Sequence, residues 1–178
     1  STGRPKLAAA IEAARAFVDT LVFPQDQAAV IAFNSDAWVV QDLTGKQADI
    51  MVQLAAVPGL VHQQTRIDRG IEEGHRELTS ARRRAGNKPV MIVLTDGLAN
   101  PVPASVAVER AKAAKDDRIT IFTIGLGRPN ELNVVDLAQM ASRPGYFYQA
   151  PDGEDLLGIY RTIAIEIPCP AAQYWGRR

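Results

Sequence analysis

Asp96 closes a stretch whose residue types could do chemistry. Five apolar residues, 90–94 (VMIVL), run into Thr95, Asp96 and Gly97. In open α/β sheets ligands gather beyond the carboxyl ends of the strands, where loops line a crevice. A carboxylate there can ligate a hard cation, accept hydrogen bonds from loop amides, or cap a turn. Thr65 shifts the balance between these roles. It lies in the loop just before a helix predicted to start at Ile67, and would reach the same edge of the sheet. A hydroxyl and a carboxylate are oxygen ligands suited to Mg²⁺. The expectation is one shallow crevice holding both side chains, rimmed by residues 34–36 and 97–103.

Other chemistries fit less well. The segment GLGRPN at 125–130 imitates a dinucleotide loop, but Asn130 stands where the last glycine is needed, Pro129 interrupts it, and it does not open the first strand–helix unit. No G-x-S-x-G elbow occurs, and His62 and His75 have no Ser or Cys near them in a recognised arrangement. His75, on a charged helix, reads as solvated. His62 either lines the loop face beside Thr65 or is a plain surface histidine, which is the simpler reading. Two histidines and the single Cys169 offer no zinc-like spacing. Arg82, Arg83 and Arg84 form a basic triplet, yet at a helix end three arginines complement the macrodipole and stay solvated. A phosphotransferase would need clustered acids or a Gly-rich loop that the chain lacks. No enzymatic activity is expected.

The elements that must position Thr65 and Asp96 follow from periodicity. From Pro5, apolar residues recur at helical spacing through Leu21. AAVIAF at 28–33, a turn at 34–36 and AWVVQDL at 37–43 read as a β-hairpin. A helix is predicted over 46–57, closed by Pro58 and Gly59, and another from Ile67 carries Gly70, Ile71, Gly74 and Leu78 on one face. The two glycines suggest close approach to a sheet. After the strand at 90–94 come a helix over 104–115, a strand over 119–124, a helix over 131–142, a short strand YFYQ and a last helix reaching Ile167. Apolar strands alternating with helices imply an α/β fold: a doubly wound, mostly parallel central sheet with one antiparallel edge hairpin and helices on both faces.

At 178 residues and 47% hydrophobic content, one domain over residues 1–167 with an extension or linker over 168–178 is expected. Twenty basic residues balance twenty acidic ones, so composition offers no field for nucleic acid or an anionic membrane. No apolar run approaches the roughly 20 residues that span a bilayer. One cysteine cannot make an internal disulfide, which suits a reducing compartment or a bridge-free secreted protein alike.

In this order, KLAAAIEAARAFVDTL, AAVIAFNSDAWVVQDLT, QQTRIDRGIEEG, VMIVLTDGLAN, ITIFTIGLG and DLAQMASRPGYFYQAPDGEDLLGIYRTIA resemble a von Willebrand factor type A domain over about residues 6–165. The resemblance implies a Rossmann-like fold with a metal-ion-dependent adhesion site. That site is built from an Asp-x-Ser-x-Ser motif after the first strand, a Thr from a second loop and an Asp from a third. Thr65 matches the second loop and Asp96 the third. It further implies Mg²⁺, or Mn²⁺ or Ca²⁺, and a protein partner that offers the metal a carboxylate. No Asp-x-Ser-x-Ser precedes the first helix, and Ser1 and Thr2 do not take its place. A cation held only by Thr65 and Asp96 would rely on water and bind weakly.

Two functions are expected to compete. One is a non-enzymatic adhesion-type module that uses the cation in its complete form. The other is a structural or assembly domain with a degenerate metal site, binding through packing surfaces. In the family a strand before the first helix lies mid-sheet, so a gap is expected between the strands at Ala28 and Val90. It would be filled by a donated strand, a separate N-terminal fragment or preceding residues.

Overall fold

The computed structural model describes residues 3–57 and 64–167. His62 and the extension predicted over 168–178 lie outside them. Helix α1 (Gly3–Val18) leads to strands β1 (Ala28–Phe33) and β2 (Ala37–Thr44), then α2 (Gln47–Ala56) and α3 (Ile67–Thr79). Strand β3 (Val90–Thr95), α4 (Ala104–Asp116), β4 (Thr120–Leu126), α5 (Val134–Met140), β5 (Phe147–Ala150) and α6 (Glu154–Glu166) follow.

Strands β3, β4 and β5 form a parallel sheet in that order, with Val90 opposite Thr120 and Thr123 opposite Phe147. Its core has two sides because strand side chains alternate. Met91, Val93 and Ile121 meet Ile71, Ala107, Ala111, Leu137 and Met140 from α3, α4 and α5. Phe122, Ile124 and Leu126 meet Ala13, Leu156, Tyr160 and Ile163 from α1 and α6. β4 is therefore buried on both faces, and Thr123, its buried polar residue, donates to Leu137 O at 2.8 Å. The Tyr160 hydroxyl is pushed up to a pKa of about 12 by burial.

The hairpin β1–β2 is antiparallel and forms its own two-stranded sheet, with no ladder to β3. Helix α3 spans both sheets. A Cβ on Gly70 would lie 2.6 Å from Phe33 Cδ1, and one on Gly74 would lie 3.0 Å from Met91 Cε, so both glycines mark the predicted close approach. Although β1 is wholly apolar, all six of its residues are only half-buried, as are Val90, Ile92 and Leu94 of β3.

Three sequence expectations change. The helix predicted over 131–142 begins only at Val134, after a 3₁₀ turn at Pro129–Glu131, because the Asn133 side chain accepts from Asp136 N and caps it. Helix α3 ends at Thr79, where the Ser80 hydroxyl bonds back to Glu77 O, so the arginine triplet lies beyond the helix and does not serve its dipole. Instead Arg82 pairs with the buried carboxylate of Glu77, which also accepts from Leu43 N at 3.0 Å, and Arg84 donates to Pro24 O and to Gln25 O. His75 is not free in solvent: its Nε2 lies 2.7 Å from Asp117 Oδ2, tying α3 to the end of α4.

Candidate functional site

Asp96 is the first residue beyond β3 and is exposed at the carboxyl edge of the parallel sheet. The turn after it is held from beneath. Gly97 N donates to Thr95 Oγ1 at 3.4 Å, and that hydroxyl lies 3.3 Å from Gly97 O. Thr95 itself is buried, so the turn hangs from a fixed strand end.

Thr65 reaches this place through backbone pairing. Its N donates to Asn100 O at 3.1 Å, and Asn100 N donates back to Thr65 O at 3.2 Å. Arg66 N then donates to Asn34 O at 2.7 Å, in the turn between β1 and β2. The Thr65–Arg66 step is thus stitched between the loop after β3 and the hairpin turn, and it joins the upper ends of the two sheets. The half-buried Thr65 hydroxyl comes within 3.6 Å of where a Cβ on Gly97 would stand, next to Asp96. The structure therefore brings the Thr65 hydroxyl to the loop that begins at Asp96.

The surroundings are mixed in charge. The Arg66 guanidinium grips Asp68 with Nε–Oδ1 at 2.9 Å and Nη2–Oδ2 at 2.8 Å. Those hydrogen bonds hold the Asp68 carboxyl below its ordinary range against the opposing effect of burial. Asp36 adds a second acid near Arg66. Across the same edge, Lys6 Nζ donates to Leu126 O at 3.4 Å and lies 3.6 Å from Glu131 Oε2. Among the described residues, no group of three or more His, Cys, Asp or Glu side chains is gathered for a metal. A cation at this edge would meet oxygen ligands of the right hardness in Thr65 and Asp96, but too few to fill a six-oxygen shell.

Sequence reasoning missed the Arg66–Asn34 contact and the Arg66–Asp68 grip. Turn chemistry at 34–36 marked a turn, but gave no sign of what it would pair with. The Asn100–Thr65 bridge lies within the expected rim, and the Asn-Pro dipeptide at 100–101 was its only local signal.

The fold has relatives among solved structures. A superposition on BatB from Bacteroides thetaiotaomicron gives a TM-score of 0.75 at 24% identity, over 90% of this chain and 86% of that one. The von Willebrand factor domain of the type V pili tip protein Mfa5 from Porphyromonas gingivalis gives 0.79 at 15% identity, over 96% and 92%. Proximal thread matrix protein 1 from the mussel byssus, with a zinc-occupied MIDAS motif, gives 0.78 at 18% identity over 90% of this chain, which spans 42% of that protein. No curated protein sequence matches the chain. At these identities the likeness speaks for the fold, and the sequence pattern of the family supplies the rest. Because that pattern matches residues 1–162, the chain belongs to the von Willebrand factor type A domain family.

Proposed function

We propose that the chain is a non-enzymatic protein-binding module that, in its complete form, grips a partner carboxylate through a divalent cation at Thr65 and Asp96. The observation that carries this reading is the backbone bridge between Thr65 and Asn100, which sets a hydroxyl beside the loop that starts with a carboxylate. A bound Mg²⁺ or Mn²⁺ would supply a positive centre for a partner's acidic side chain. Thr65 and Asp96 would hold it, with water in the remaining positions. The pili tip and byssal relatives named above support an interaction role without identifying a partner.

The probe is Mn²⁺, whose paramagnetism broadens nearby amide signals. Weak binding is expected, with broadening centred on Thr65 and Gly97 and abolished by Asp96→Ala. Removing one exposed carboxylate leaves the core intact, so the variant keeps its fold. Broadening centred elsewhere, or unchanged in Asp96→Ala, would overturn the assignment.

A second reading is favoured by a different observation. Among the described strands, β1 pairs only with β2 and β3 only with β4, while α3 lies across both. The free edges of β1 and β3 and the half-buried residues beside them suit an added extended apolar segment, which would make the domain an assembly module.

A further inference from the structure

The end of the parallel sheet opposite Asp96 carries a cleft of about 420 Å³, formed by residues around the starts of β3 and β4. Its cationic lining comes from Arg83, Lys88 and Arg118, and its only acid is Asp117. That acid is engaged by His75 at 2.7 Å. Arg83 is anchored by donating from Nη1 to Asn87 O at 3.0 Å. Among the described residues neither Lys88 nor Arg118 forms an ion pair with a carboxylate. In a chain of zero formal net charge, three cationic side chains against the one carboxylate of Asp117 make this lining a local excess of positive charge.

Arg118 supplies a second, independent observation. Its φ is 63°, in the left-handed region, where it is the only non-glycine among the described residues. Arg118 N donates to Lys115 O at 2.9 Å and Ile119 N to Ala114 O at 3.1 Å, the paired bonds that close a helix on a left-handed residue. Glycine is the usual occupant of that position, because a side chain there meets the following carbonyl. An arginine bears this strain and lines the cleft beside Lys88. A smaller hollow shares Lys88 and Thr120 and is lined by Arg143 and Glu166, with the Arg143 guanidinium carbon 4.4 Å from the centre of the Tyr146 ring.

We propose that this cleft is a binding site for a multiply charged phosphate-type oxyanion, held by Arg83, Lys88 and Arg118. Guanidinium groups bond phosphate oxygens in a fork, and an ammonium adds a point charge, so the lining matches such a group. The site is distinct from Thr65 and Asp96 and needs no metal.

The test is calorimetric titration of the chain with inorganic pyrophosphate in metal-free buffer, which keeps its outcome independent of any cation site. Binding is expected at low salt and should weaken as ionic strength rises. Arg118→Gly and Lys88→Gln should each weaken it about tenfold, the worth of one charge-assisted hydrogen bond. Arg118→Gly places glycine where the backbone favours it, so its melting point should equal or exceed the parent's. A phosphoserine peptide binding more tightly than pyrophosphate would make a modified protein the source of the anion. The reverse order would make it a small molecule. Absence of binding at low salt, or a loss under about threefold in both variants, overturns the proposal.

Discussion

Replacing Gly70 with alanine tests whether α3 is the device that holds the two sheets together. The added Cβ would stand 2.6 Å from Cδ1 and 2.9 Å from Cγ of Phe33, against the roughly 3.5–4.0 Å at which carbon atoms pack. The nearest atoms include the base of a rigid ring, so a change of rotamer at the far end of a flexible chain cannot relieve the clash. Helix and hairpin must part by about 1 Å, and overpacking of this kind costs about 1–3 kcal/mol. Alanine also gains about 0.8–1.0 kcal/mol of helix propensity, which partly masks the loss. Gly158→Ala in α6 removes that ambiguity. Nothing lies within 4 Å of a Cβ at Gly158, so the variant gains propensity and pays no packing cost. The difference between the two variants isolates the clash and should be about 1–3 kcal/mol, or roughly 2–12 °C in melting temperature for a domain of this size. Urea titration and thermal melting followed by circular dichroism would measure it. Equal stabilities within about 0.5 kcal/mol would refute the claim that α3 is clamped to β1 at this residue.

Two further predictions follow from the same packing. Glu77 is buried, which raises its carboxyl pKa, but its bonds to Arg82 and Leu43 N prevail and hold it below the ordinary 4.5. A depressed folded pKa stabilises fully above that value and loses its contribution as pH falls through the lower folded one, so Glu77→Gln should flatten the acid limb of a stability–pH curve. An acid limb unchanged in the variant would deny the pair that role. Adding an extended apolar peptide of about six residues, enough to line one edge of β3, should raise the melting temperature by about 5–10 °C at a hundred times its dissociation constant, where linkage contributes about 2.7 kcal/mol. No rise, or a rise without altered amide signals in β1 and β3, would count against an open strand position.

Much of the fold is legible in the sequence wherever the signal is local. The apolar spacing from Leu7 onward marks α1, and turn chemistry at 34–36 separates β1 from β2. Gly70 and Gly74 reveal a close approach, since only a missing side chain suits it, but not the identities of Phe33 and Met91 as the groups approached. What cannot be read is what depends on chain distant in sequence. His75 finds Asp117 across 42 residues, and Arg84 finds Pro24 O across 60. Neither partner carries a local mark, so the sequence shows His75 and Arg84 only as polar groups, and Arg84 is indeed exposed. The candidate site divides in the same way. A carboxylate at the end of an apolar strand and a hydroxyl before a helix are visible as types, whereas the stitch from Thr65 to Asn100 uses backbone groups that every residue possesses.

That stitch links the binding and assembly readings. The two sheets share no ladder, so their relative placement rests on α3, on bonds from Arg84 and Asn87 to Pro24 and Gln25 at the lower end, and on the Thr65–Arg66 step at the upper end, bonded to Asn100 on one side and to Asn34 on the other. A shift of the hairpin relative to β3 therefore pulls on Arg66 through Asn34, while Thr65 is held to the Asp96 loop through Asn100. An extended segment entering between β1 and β3 would fix that spacing with ladder hydrogen bonds on both edges, and would bury the sides of β1 and β3 that are now half-exposed. Helix α1 already starts at the carboxyl edge, where Lys6 meets Leu126 O, so a segment running parallel to β3 would finish beside Thr65 and Asp96. Strand completion and cation affinity are then coupled. If Thr65 and Asp96 hold a cation as proposed, a segment that steadies this edge of the sheet should make Mn²⁺ bind more tightly, and by linkage the segment should bind more tightly in the presence of Mn²⁺.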